Sequence, residues 1–125
     1  MADSGRVPRF NVPVVHPSDQ PARVSIRLDF ASGARVGPGK IELLEAIARK
    51  GSIAAAARDL GMSYPRAWGL VEALDTAMGE PVVTRAPGGQ KGGGAALTPL
   101  GRALIERYRQ VEAAAQRKAG APPKA

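Results

Sequence analysis

A mainly α-helical domain with a small β component is predicted from three features of the chain. Gly51 to Gly79 reads as two helices joined by a tight turn. Val82 to Thr98 reads as a two-stranded hairpin around a glycine-rich tip, and Thr98 opens a long final helix. With an alternating strand and a bracing helix ahead of them, these features specify a winged helix-turn-helix.

Taken in order, residues 1–22 hold Pro8, Pro13, Pro17 and Pro21, spaced so that neither a helix nor a central strand can run between them. A disordered arm is expected there. Its Arg6 and Arg9 are candidates for phosphate or minor-groove contact, against the plainer reading of a tail with no fixed contact. His16, the only histidine, has no second ligand-type cluster near it, so neither a metal nor a catalytic role is expected. Arg23 to Phe30 alternates, with Val24, Ile26, Leu28 and Phe30 against Ser25, Arg27 and Asp29, and predicts a strand with one wet face. Ala31 to Gly39, with three glycines and a proline, reads as a loop. A helix over Lys40 to Lys50 follows, burying Ile41, Leu44, Ile47 and Ala48 and stopped by Gly51.

Ser52 is placed to cap the next helix, in which Ile53, Ala56, Ala57 and Leu60 recur at helical spacing. Small Ala56 and Ala57 suit two helices that cross steeply at close approach. Gly61 ends this helix, Met62 turns inward and Ser63 caps the second helix, whose buried face takes Ala67, Leu70 or Val71, Leu74 and Met78. Tyr64, Pro65, Arg66 and Gly69 are left facing out. In this geometry the second helix is the one to enter a DNA major groove, and a plain helical hairpin in a core is the rival reading.

Val82 to Arg85 and Ala95 to Thr98 predict the two wing strands. The tip between them carries Gln90 and Lys91 and is flanked by Arg85, with no acidic residue, so it suits a phosphate backbone or a minor groove; a plain flexible hairpin tip is the alternative. It is not a nucleotide-binding loop, because Lys91 is followed by Gly92 and not by Ser or Thr opening a helix. Thr98 and Pro99 start the last helix, with Leu100, Ala103, Leu104, Arg107, Tyr108 and Val111 as its stripe. Such a helix outreaches a small core, so its far half can pair with another copy or pack back on its own domain. Gly120, Pro122 and Pro123 end it. The expected organisation is an arm over 1–22, one DNA-binding and dimerisation domain over 23–118, and a disordered tail over 119–125.

The chain has 125 residues, no cysteine, and 18 Lys and Arg against 11 Asp and Glu, a formal net charge of +7. A polyanionic partner fits this balance, although a solvated basic face is common in soluble proteins. The lack of cysteine removes disulfides, thiolate catalysis and cysteine-ligated zinc. No apolar run reaches bilayer length, and a cytoplasmic protein without a membrane partner is expected. No pair of carboxylates has a spacing that demands catalysis, and neither an enzyme activity nor a cofactor is expected.

The segments GSIAAAARDLGMSY, RAW and VVTRAPGGQKGGGAALTPLGRALIERY resemble the N-terminal DNA-binding domain of the molybdate-responsive transcriptional regulators, the ModE family. More loosely the chain is similar to the LysR-type winged helix-turn-helix. The likeness covers about Val24 to Val111, and its specific parts are Ser63, Tyr64, Ala67 and Trp68 together with the wing from Arg85 to Thr98. It implies homodimerisation through the first strand and terminal helices, a palindromic operator, double-stranded DNA as partner, and molybdenum-related genes as the regulated set, with the transcription machinery as a further partner. Full-length family members carry a C-terminal oxyanion-binding domain where this sequence has an Ala, Pro and Lys tail, so molybdate sensing is not carried over. Pro65 stands where the family commonly has a basic residue, which alters the contact expected there.

The candidate DNA-contacting residues are therefore Ser52, Ser63, Tyr64, Pro65, Arg66, Trp68, Arg85, Gln90 and Lys91. Arg66 can pair bidentately with guanine, or meet only a phosphate or solvent. Tyr64 can bond a phosphate or pack on a thymine methyl, and Ser52 and Ser63 can cap their helices, meet phosphates or do both. Trp68 sits at the edge of the buried stripe beside Ala67 and Val71, where packing is the plainer reading. Asp59, Glu72 and Asp75 read as solvated or helix-pairing charges. The rival function is a winged helix that binds a protein, with incidental DNA affinity.

Overall fold

Among the described residues, three of the four α-helices begin where a hydroxyl relieves the orphan backbone donors of the first turn. In a computed structural model that describes residues 15–86 and 93–123, Ser52 Oγ accepts from the Ala55 N–H at 3.0 Å, Ser63 Oγ from Arg66 at 3.2 Å and Thr98 Oγ1 from Gly101 at 3.1 Å. These caps open α2 (Ile53–Leu60), α3 (Tyr64–Met78) and α4 (Pro99–Ala119). The first helix, α1 (Pro38–Lys50), starts on a proline instead, with no side-chain cap. Between α2 and α3 the backbone turns at Gly61, whose φ of 69° lies in the left-handed region, and the Met62 N–H closes the turn on the Ala57 carbonyl at 2.9 Å.

The core is built around α1. Ile41, Leu43, Leu44, Ala46 and Ile47 are all fully buried, under α2 on one side and α4, β2 and β4 on others. The face is therefore wider than the predicted stripe: Leu43 and Ala46 join it, while Ala48 lies exposed beside Arg49 and Lys50. Ala56 and Ala57 of α2 and Ala67, Val71 and Leu74 of α3 complete the same cluster, as the helical spacing predicts.

The predicted strand over Arg23 to Phe30 keeps its alternation of half-buried and exposed side chains, but only Leu28–Asp29 (β1) is paired. The rest is held by α4: the Val24 N–H donates to Gln116 Oε1 at 2.9 Å and the Tyr108 hydroxyl to the Ile26 carbonyl at 3.0 Å. Ala31 to Gly39 is not a loop throughout. Gly33, at φ 99°, closes a tight turn onto the Phe30 carbonyl, and Arg35–Val36 (β2) returns antiparallel to β1 with Leu28 opposite Val36. The same turn-forming glycine and helix-starting proline that read as a loop thus make a hairpin and the first turn of α1.

In the wing, β3 (Val83–Arg85) pairs antiparallel with β4 (Ala95–Leu97), Thr84 facing Ala96. Val82 and Thr98, expected in the strands, instead join the wing to the helices. The Val82 N–H donates to Asp75 Oδ1 at 2.8 Å, its carbonyl accepts from the Thr98 N–H at 3.0 Å, and the Thr98 hydroxyl donates to the Pro81 carbonyl at 2.8 Å.

On α4 the buried positions are Gly101, Leu104 and Tyr108, whereas Ala103, Arg107 and Val111 from the predicted stripe are exposed. Only the first half of this helix lies in the hydrophobic cluster, so the apolar positions beyond Tyr108 meet no core. Arg109 ties the helix to α1 through both oxygens of Glu45, at 2.7 and 3.0 Å, and also pairs with Glu112 at 2.8 Å. Further out, the Gln116 carboxamide donates to the carbonyls of Ala22 and Gly120 at 2.9 and 2.8 Å, and Arg23 donates to the Pro123 carbonyl at 2.9 Å. Before that junction the chain makes a 3-10 turn over Pro17–Asp19, with the Ser18 N–H donating to His16 Nδ1.

Two outcomes follow from this packing. A Cβ at Gly101 would collide with the Val82 carbonyl, so Gly101→Ala is expected to lower the unfolding free energy by about 1–3 kcal/mol in urea titration. Burial pushes the Tyr108 phenol above its ordinary range, so the unfolded chain gives up this proton first. Its contribution is full below pH ~10 and is lost as the pH rises further; Tyr108→Phe should remove that part of the alkaline loss in thermal melts.

Candidate nucleic-acid interface

At about 100° per residue, the surface of α3 divides into distinct flanks around its buried face of Ala67, Val71 and Leu74. Pro65, Gly69, Glu72 and Thr76 point away from the core and are exposed. Tyr64, Trp68 and Asp75 lie on the flank toward the wing, and Arg66 and Leu70 on the flank toward the β1–β2 hairpin. The outward ridge is low in relief and carries few donors, since Pro65 and Gly69 form its first two turns.

On the wing side, Arg85 Cζ stands 5.3 Å from the centre of the Trp68 ring and its Nη2 lies 3.4 Å from Asp75 Oδ2. Trp68 is 38% exposed, so its ring does not pack into the core. Position 68 is one step off the buried stripe, and what meets it there is the wing's arginine, stacked as a cation on an aromatic face. Asp75 likewise is not a solvated charge. Its carboxylate anchors the Val82 N–H and Arg85 together, and so fixes the base of the wing against α3. Asp59 pairs with Arg49 at 3.0 Å and Lys50 at 3.8 Å, stitching α2 to α1, and Glu72 is exposed.

Between wing, α2 and α3 lies a cleft of about 510 Å³, bordered by Ser52, Arg58, Tyr64, Arg85, Gly93 and Gly94. It brings together Ser52, Tyr64 and Arg85 from distant stretches of sequence. The β4 strand is held at its rim by the Ala95 N–H, which donates to the Gly51 carbonyl at 2.8 Å. Arg58 was not among the residues singled out from sequence; its signal was a basic side chain on α2 outside the stripe of Ile53, Ala56, Ala57 and Leu60. Ser63 and Pro65 are exposed at the start of α3, and Arg66 is exposed on the far flank. Gln90 and Lys91, like Arg6 and Arg9, lie outside the described residues. No group of three or more His, Asp or Glu side chains converges as metal ligands would among the described residues, and no helix there is long and apolar enough to cross a membrane.

Residues 39–102, just over half of the chain, match the family described as "Bacterial regulatory helix-turn-helix protein, lysR family". The chain belongs to this lysR family of bacterial regulatory helix-turn-helix proteins. Over 82 residues it is 54% identical to the molybdenum-pterin-binding protein MopB of Rhodobacter capsulatus, covering 66% of this chain and 30% of MopB. Over 87 residues it is 38% identical to the DNA-binding transcriptional dual regulator ModE of Escherichia coli, covering 70% of this chain and 33% of ModE. The chain thus spans about a third of the length of these curated relatives, and the likeness to ModE read from the sequence is met. Among solved structures it resembles the CbnR_DBD-DNA complex, with a TM-score of 0.51 and 29% identity over 64% of this chain and 86% of that one. The winged helix-turn-helix is therefore a lysR-family fold here, preceded by a hairpin that lies before the matched segment.

Gly69 has no internal reason to be glycine: its backbone is helical, and a Cβ built on it meets nothing within 4 Å. Gly69→Ala is accordingly expected to raise stability by up to about 1 kcal/mol, read as a higher midpoint in thermal or urea unfolding.

Proposed function

We propose that this chain is a sequence-specific DNA-binding transcriptional regulator domain that acts as a homodimer on a palindromic operator. The observation that carries the reading is the start of α3, where Tyr64, Pro65, Arg66 and Trp68 stand clear of the core while Ala67 and Val71 behind them are buried. A helix so presented can lie in a major groove with its first turns toward the base edges. The wing-side cleft, with Arg58, Arg85 and the Ser52 cap at its border, then faces the flanking backbone. Gln90 and Lys91, which lie between the two wing strands in sequence, are proposed to add to that contact. Membership of a regulatory helix-turn-helix family and the likeness to a domain solved with DNA support the same assignment.

Dimer formation is supported by the far half of α4, where Val111 is 40% exposed, and by residues 23–27, an extended segment whose Ser25 and Arg27 are exposed. Half-sites about one helical turn apart would follow from two-fold symmetry. Molybdenum-related genes are the proposed targets, because the relatives it matches include MopB, named for molybdenum-pterin binding, and the regulator ModE. The proposed compartment is the cytoplasm, where the DNA lies, and the proposed role needs neither a cofactor nor catalysis.

Selection of bound genomic fragments followed by anisotropy titration at several salt concentrations tests this. A preferred duplex should bind more tightly than its scrambled counterpart; equal binding of the two would leave a protein-interaction module as the better reading. With that duplex, Arg66→Ala should lose about 1–3 kcal/mol of discrimination at one base position. Lys91→Ala should weaken all duplexes alike and reduce the salt slope by about one.

A further inference from the structure

The flank of α3 turned away from the wing borders a second groove, of about 320 Å³, between that helix, the β1–β2 hairpin and the start of α1. Arg27, Arg35, Lys40, Met62, Arg66 and Leu70 line it, and none of its lining residues is acidic. The four cations are not equivalent. Arg27 is matched by Asp29, with Nε and Nη2 at 2.8 and 3.0 Å from its two carboxylate oxygens, and this pairing holds the Asp29 carboxyl below the usual range. Lys40 donates one ammonium proton to the Arg35 carbonyl at 2.7 Å, which fixes the amine at the groove, and no carboxylate pairs with it among the described residues. The guanidinium groups of Arg35 and Arg66 have no hydrogen-bond or ion-pair partner among the described residues.

Arg35 of β2, Lys40 of α1 and Arg66 of α3 therefore line one small groove, and Asp29, which stands opposite Arg35 in the hairpin and feels its charge, is already bonded to Arg27. An anion in this groove lies within a Debye length of roughly 8–10 Å of all three and is attracted by each. Arg66 makes this groove continuous with the exposed start of α3. A helix lying in a major groove about 12 Å wide has a phosphate strand on either side, and the wing-side cleft accounts for only one of them.

We propose that Arg35 and Lys40, with Arg66, form a second backbone-binding site for the phosphate strand that borders the major groove on the side away from the wing. The site rests on the DNA-binding reading above. Arg35 precedes the segment matched by the family, residues 39–102, so the hairpin supplies a clamp in addition to the helix-turn-helix and wing. Phosphate contacts of this kind fix register without reading sequence. The two flanks together hold α3 at a set depth, where the low ridge of Pro65 and Gly69 lets its backbone come close to the bases.

The test uses the full chain and the tightest duplex selected by the wild type. In the double variant Arg35→Gln, Lys40→Gln the slope of log K against log salt should fall by about two, with the rank order of base substitutions in the duplex unchanged. The charge-retaining pair Arg35→Lys, Lys40→Arg should restore the slope. Ethylation interference should show contacts on the strand opposite the wing that the double Gln variant loses. If the double variant unfolds, Arg35→Gln alone, at an exposed side chain, should still lower the slope by about one. A folded double variant with the wild-type slope and affinity overturns the second site and leaves DNA binding standing. A wild-type chain that prefers no duplex removes both.

Discussion

Two alanines set the separation of the helices on which the surface of this domain depends. Ala56 and Ala57 are fully or almost fully buried on α2, a helix of eight residues. A helix that short is not stable by itself and takes its stability from packing. With no atoms beyond Cβ at the crossing, α2 lies close against α1 and α3, and the start of α3 is presented at a fixed height above the core. A larger side chain there would force the helices apart and tilt α3 away, so the position of Arg66 and Tyr64 is decided by residues that never reach the surface.

The wing is positioned by a different device, a relay of main-chain bonds through Val82. Its N–H is held by Asp75 of α3, its carbonyl receives the Thr98 N–H, and Gly101 of α4 fits beneath it only because it has no side chain. Thr98 caps α4 with the same oxygen that donates to Pro81. The wing, α3 and α4 therefore meet at one residue, and Asp75 links that junction to the Arg85 that stacks on Trp68. The angle between α3 and the wing strands is a property of this relay.

What could be read from the sequence was whatever is local. Ser52, Ser63 and Thr98 announce their helices because a cap and the helix it starts are neighbours in the chain, and the turn at Gly61 is legible for the same reason. The β1–β2 hairpin was hidden because Gly33 and Pro38 carry the same signals whether they make a loop or join two short strands to a helix. Leu43 and Ala46 escaped because α1 is covered on more than one side, which a single stripe does not describe. The partners of Asp75 and Trp68 are hidden in the sequence because the wing supplies them, Val82 and Arg85 from seven and ten residues beyond Asp75 and Arg85 from 17 residues beyond Trp68. Of the candidate site, the start of α3 was legible, while Arg58, Arg35 and Lys40 were not, since only the folded chain sets them around it.

Gln116 has a mechanical consequence. Its one carboxamide binds Val24 and Ala22 on the incoming chain and Gly120 on the outgoing chain, so both ends leave from the same spot at the far tip of α4. A tension applied between the two tails would load the Arg23–Pro123 bond and this amide first, and then peel α4 from its tip toward Tyr108. The junction under the wing lies at the other end of a helix about 30 Å long, and would be the last part to feel the pull.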